Sequence, residues 1–182
     1  MTDVKSASDV LAFWKQAGPD KWFTKDDAFD RAIHDTFLPT YESAVAGHLN
    51  DWQSTPDGAL ALVIVLDQFP RNMFRASARA WAADPMARDI AMRAIDDGFD
   101  QRVAHDLRAF FYLPLMHSEK LSDQERCVEL CRALGDEDNL KYAELHADII
   151  RRFGRFPHRN PHLGRQTTPE EQAFLDSGGF AG

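Results

Sequence analysis

Apolar side chains recur at helical spacing along nearly the whole chain. Val10, Leu11, Phe13 and Trp14 form a first stripe, with Ser6 or Ser8 placed to cap it. Thr24, followed three residues later by Asp27, opens a second helix that aligns Phe29, Ile33 and Phe37, and Pro39 is expected to kink or end it. Thr55-Pro56 couples a cap to a first-turn proline and launches an apolar run that reaches Phe69. Asp84-Pro85 repeats the device ahead of Met86, Ile90, Ala94 and Ile95, with Gly98 as the stop. Arg108–Met116 is apolar and aromatic, interrupted by Pro114. Ser122 and Glu125 spell a capping box for a helix that ends at Gly135. Asn139–Phe153 carries Tyr142, Leu145, Ile149, Ile150 and Phe153 as its inner stripe and terminates at Gly154. Thr168-Pro169-Glu170-Glu171 is a second capping box with proline at the first helical position.

One segment fits two patterns. The octet Ala59–Leu66, ALALVIVL, suits a buried strand as well as a buried helix. The Thr-Pro start signal and the lack of any other convincing strand decide for a helix buried on most sides. Roughly seven helices joined by short loops predict an all-α fold, and residues 1–182 read as a single helical domain.

Composition narrows the function classes. Of 182 residues, 44% are hydrophobic and 27% charged, which is ordinary for a globular protein that buries a core. The net charge of −8 argues against nucleic acid and against anionic membranes as partners. No apolar run approaches the roughly 18 residues of a membrane span. The N-terminal MTDVKSASDV lacks a signal peptide's apolar centre, so a cytoplasmic location is expected. Cys127 and Cys131, four apart on a helix, are expected to be reduced and partly buried, with no second pair to complete a four-ligand metal site.

Against that acidic background one window stands out. From Ile149 to Pro169 there is no Asp or Glu, yet Arg151, Arg152, Arg155, Arg159 and Arg165 fall there with His158 and His162. Such cations need either carboxylates from elsewhere in the chain or a bound anion. Arg155, Arg159, Asn160 and Arg165 have the chemistry of an anion site, since arginine grips carboxylate or phosphate with a planar fork. The same residues suit a structural clamp in which the arginines hold carboxylates and helix-end carbonyls, and both readings stand at this point. Phe69-Pro70-Arg71-Asn72 echoes Phe156-Pro157-His158-Arg159-Asn160, which adds Arg71 and Asn72 to the anion-binding candidates. Asp67, near a helix C-terminus where the macrodipole disfavours a carboxylate, calls for a cationic partner and joins Glu119 as a pocket carboxylate. His158 and His117 are the candidates for proton transfer. His146 lies on an apolar face and reads as a hydrogen-bonded core residue. His146, His158 and His162 lack the spacing of a zinc site, and nothing matches a phosphate loop or a dinucleotide fingerprint, so neither metal nor cofactor is expected.

Several of these stretches also carry a resemblance. LAFW near the N-terminus, Trp22-Phe23, LDQFPRNMFR at 66–75, the Asp84-Pro85 helix, FFYLPLMHSE at 110–119, RFGRFPHRNPHLGR at 152–165 and the following TTPEE resemble the bacterial family called domain of unknown function 924, along nearly the whole chain. The resemblance implies stacked antiparallel helix pairs in a tetratricopeptide-like layout, and it implies no activity. No 34-residue repeat is visible in the sequence, so the likeness is one of layout rather than of repeated sequence. Two functions follow as expectations. One is binding of a small anionic ligand, a phosphate or carboxylate, in a polar pocket lined by Arg, His and Asn. The other is a helical module that binds a protein partner, with the arginine segment as a structural clamp.

Overall fold

The computed structural model describes residues 3–180, and among these every regular element is helical. The chain divides into two compact units, one formed by Met1–Arg75 and Arg79–Pro114 and the other by Ala76–Ala78 and Leu115–Gly182.

In the first unit, helix α1 (Ala7–Ala17) starts at Ser6, whose hydroxyl takes the Asp9 amide while the Asp9 carboxylate returns to the Ser6 amide. It buries Val10, Leu11 and Trp14, and a short helix α2 (Pro19–Trp22) follows. Helix α3 (Asp27–Val45) is capped by Asp26 rather than Thr24, because the Asp26 carboxylate accepts the Ala28 and Phe29 amides together. Pro39, where a kink or stop was expected, does not end it: the helix continues to Val45. Proline there removes the bond to the carbonyl one turn back, but Phe37, Thr40 and Tyr41 are buried on either side, and their packing supports continuation of the helix.

Helix α4 (Pro56–Val63) begins as expected at Thr55, and every residue from Gly58 to Val63 is buried. It passes into a single wide π turn, Ile64–Gln68, and then α5 (Phe69–Met73). Pro70 supplies the cause, having no amide to give the Leu66 carbonyl and a ring that crowds it; a wider turn relieves both. Helix α6 (Asp84–Asp96) starts one residue earlier than its sequence signal, after Ala83 and without a side-chain cap. A 3-10 stretch, His105–Phe111, leads into α7 (Leu113–Met116), so Pro114 opens a turn rather than breaking a helix. Trp14 gathers this unit's aromatic centre, with ring centroids 5.7 Å from Phe69 and 5.5 Å from Phe110.

In the second unit, α8 (Leu121–Leu134) and α9 (Glu137–Phe153) form an antiparallel hairpin across Gly135-Asp136. The expected Ser122 cap is not used. Leu121 is already helical, and the Asp123 carboxylate instead takes the Ser118 hydroxyl at 2.6 Å. The inner face of α9 also differs from its sequence reading. Ala143, His146, Ala147, Ile149 and Ile150 are buried, whereas Tyr142 and Leu145 are 51% and 40% exposed. Alanines are weak hydrophobic signals in a sequence but fit where helices pack closely. Cys127 and Cys131 are fully rather than partly buried. Helix α10 (Pro169–Asp176) begins with the expected capping box of Thr168 and Glu171.

Candidate functional site

The arginine segment leaves α9 through Gly154, whose φ of +69° is the left-handed conformation that glycine adopts without strain. Phe156 then drops into the core against Ile149 and Ile150 and is fully buried. A 3-10 turn, Pro157–Arg159, follows, and the segment is tied down until α10 begins.

Three arginines hold it. The Arg155 fork grips Glu171, with Nε to Oε1 at 2.7 Å and Nη2 to Oε2 at 2.9 Å, and Nη2 also reaches the Gln166 carbonyl. Arg165 grips Glu119 at 2.8 and 3.0 Å and donates to the Phe156 carbonyl. Arg159 is only 7% exposed; its guanidinium lies 4.6 Å above the Phe156 ring and donates to the His117 carbonyl at 3.1 Å. The carboxylates are equally occupied. Glu119 accepts the Phe156 amide at 2.8 Å besides Arg165. Glu171 accepts the Thr168 amide at 2.8 Å and the Asn160 side-chain amide at 3.2 Å besides Arg155.

The electrostatics follow from those contacts. Burial alone would push the Glu119 carboxyl up, but Arg165 and the Phe156 amide outweigh it and hold it below the ordinary value. For Glu171 the hydrogen bonds of Arg155 dominate, and with the Thr168 amide they pull its pKa down to about 2 against the opposing effect of burial.

The histidines sit beside this lattice. His146 contacts the Tyr142 carbonyl through Nδ1 at 2.7 Å, and since a carbonyl only accepts, Nδ1 carries the proton. The His158 ring lies 5.8 Å from Phe156 and 5.3 Å from Phe180. His117 contributes its backbone carbonyl, and His162 is exposed.

A second polar group occupies the first unit. Arg71 grips Asp84 with both terminal nitrogens, at 2.9 and 3.0 Å, while Nη1 reaches the Asp67 carbonyl at 2.6 Å and its carboxylate at 3.4 Å. Burial would weaken the charge of Arg71, yet Asp84 and Asp67 more than compensate. Asp67 is completely buried, and the Gln68 side chain donates to its other oxygen at 2.6 Å. Asn72 donates to Asp30 at 2.7 Å, and Arg75 pairs with the same carboxylate.

The sequence candidates therefore fall into two sets. Arg155, Arg159, Asn160, Arg165, His117 and Glu119 share one lattice in the second unit, whereas Asp67, Arg71 and Asn72 belong to the first. Three partners were missed. Asp84 and Glu171 were seen only as helix starters, and Asp30 carried no signal. A first-turn Glu that is buried beside an arginine-rich segment is the pattern that would have flagged Glu171. Two clefts of about 690 and 340 Å³ lie in the first unit, one edged by Leu11, Lys15, Trp52 and Asp57 and the other by Asn50, Asp89 and Arg93; no sequence candidate lines either. Among the described residues no three His, Cys, Asp or Glu side chains gather as a metal-binding group, and no helix is long and apolar enough to cross a membrane.

With that geometry in view, comparison with known proteins is informative about kinship. The family model described as bacterial protein of unknown function (DUF924) matches residues 10–179. A solved structure of a protein of unknown function, ATU0120 from Agrobacterium tumefaciens, is similar at 50% identity with a TM-score of 0.91, over 94% of this chain and 97% of that one. No curated protein matches. The chain belongs to the DUF924 family.

Proposed function

We propose that this DUF924 protein is a helical interaction module whose arginine segment is an internal clamp. One observation carries the reading: the charged forks of Arg155 and Arg165 are each filled by a carboxylate of the same unit. A phosphate or carboxylate ligand would have to displace Glu171 or Glu119 and leave that anion beside itself, a like-charge arrangement that is costly in a partly desolvated site. Arg71 is filled by Asp84 in the same manner. Exposed apolar side chains, among them Phe23 at 64%, Tyr142 at 51% and Leu163 at 40%, are the kind of groups such a module offers a protein partner. A reducing cytoplasm is the setting this reading takes, in keeping with two thiols that form no disulfide.

The test is a thermal-shift screen with phosphates, nucleotides, small carboxylates and divalent metals on the wild type and Arg159→Ala. The clamp reading expects a flat screen and a lower Tm for the variant. A ligand-induced rise in Tm that Arg159→Ala abolishes while remaining folded overturns it in favour of an anion pocket.

A further inference from the structure

The only two cysteines of the chain lie one turn apart on α8 and take no part in the clamp. Their sulfurs are 3.9 Å apart, and Cys127 and Cys131 are 0% and 1% exposed. A single buried cysteine in a helical hairpin is a small hydrophobe. Two in contact are a different chemical object, because they present two sulfur donors side by side.

The geometry favours chelation over oxidation. A disulfide requires the sulfurs to close to about 2.05 Å, which side chains one helical turn apart resist. Two metal–thiolate bonds of about 2.3 Å instead span the existing gap when they meet at roughly 116°. That angle belongs to a three- or four-coordinate centre. Among the described residues no third His, Cys, Asp or Glu joins the pair as a metal-binding group, so the protein supplies two positions rather than the four of a structural zinc site.

We propose that Cys127 and Cys131 form a bidentate dithiol site for a soft, thiophilic centre with two open positions, such as an organic trivalent arsenical or monovalent copper. With an organoarsenic(III) oxide, two S–H bonds break, two As–S bonds form, and the arsenic-bound oxygen leaves as water with both protons. Arsenic and sulfur keep their oxidation states. Monovalent copper displaces thiol protons to solvent, again without redox. Since both sulfurs are buried, entry follows local opening of the hairpin and is slower than capture by a surface thiol.

The experiment uses the reduced full-length chain and two probes. Phenylarsine oxide is added under native conditions and the mass is read; monovalent copper is offered against bathocuproine disulfonate in a second arm. The proposal expects the folded wild type to retain one or both probes at one per chain, the arsenical adding its mass less one water. Cys127→Ala and Cys131→Ala should each lose that retention with their helical circular dichroism intact, alanine being a good helix former. Which probe is held distinguishes the arsenical from the metal. Retention of neither probe by folded wild type overturns the proposal, and so does an adduct that survives in either single variant. The wild-type arm decides even if a variant folds poorly.

Discussion

Replacing Glu171 by Gln keeps the shape of the side chain and its place in the first turn of α10 but removes the charge that Arg155 grips. In the native protein the Glu171 side chain is 3% exposed, and its pKa falls from 4.5 to about 2. Each pH unit is worth about 1.4 kcal/mol, so the shift corresponds to at most roughly 3 kcal/mol of folding free energy. Arg155 is 27% exposed, and solvent screening from that side reduces the figure to about 2 kcal/mol. For a chain of this size that is a fall in Tm of roughly 4–8 °C at pH 7. The sign with pH follows from linkage. A depressed carboxyl pKa contributes fully above the unfolded value of 4.5 and loses its contribution as pH falls through the folded value of about 2. Wild type and Glu171→Gln should thus melt apart by a constant interval from pH 7 to about 5.5, and by pH 3 the interval should shrink to less than about half. Thermal melts followed by circular dichroism at 222 nm, in low-salt buffers between pH 3 and 7, provide the measurement. Equal Tm values at pH 7, or an interval that stays constant down to pH 3, would refute the assignment of Glu171 as the ionised anchor of the segment.

Three further outcomes follow from individual contacts. A double-mutant cycle with Arg165→Ala and Glu119→Ala should return a coupling of about 1–2 kcal/mol in chemical denaturation, because the pair is bidentate and mostly shielded; a coupling below about 0.3 kcal/mol would make it an ordinary surface pair. Gly58→Ala should destabilise by about 2–3 kcal/mol, since an added methyl would lie 2.2 Å from the Trp52 carbonyl oxygen, which is backbone and cannot swing away; an unchanged denaturation midpoint would contradict the packing of α4. Ala76→Gly should raise stability by about 0.5–1 kcal/mol, because Ala76 sits at φ +56° where a side chain costs about 1–2 kcal/mol and glycine's greater unfolded-state freedom offsets part of the gain; a lower Tm in the variant would refute it.

Helix starts and stops were largely legible in the sequence, because capping is local chemistry. Ser6, Thr55 and Thr168 cap as their spacing indicates, and Gly135 and Gly154 end helices in the left-handed conformation. Errors arose where a polar side chain had a better use than the local one. Asp84 resembles a cap by pattern, but its carboxylate serves Arg71 thirteen residues back. Ser122 and Glu125 match a capping box, yet the chain is already helical at Leu121. The membership of the arginine lattice was legible in part: the charge imbalance of 149–169 marked the arginines, and Glu119 was placed with them. Glu171 was not, since capping chemistry already accounted for it and nothing local announces that a capping carboxylate will also take an arginine fork. The inner face of α9 was misread because the pattern weights large side chains, whereas close packing there selects Ala143 and Ala147.

The π turn at Ile64–Gln68 acts as a change of phase within one continuous rod. An ordinary helix advances about 100° per residue, and one widened turn sets everything after it back by about one such step relative to everything before. Upstream, the rod shows aliphatic groups on every side; downstream of the slip, Phe69 and Pro70 keep the dry side while Arg71 swings to the margin where Asp84 waits. The proline that follows therefore fixes an angular offset. Closing this turn to ordinary α geometry without removing a residue would leave the composition of the rod unchanged and yet advance Arg71 and Asn72 by about one step toward the wrong neighbours, so their aim is set by the width of a single turn.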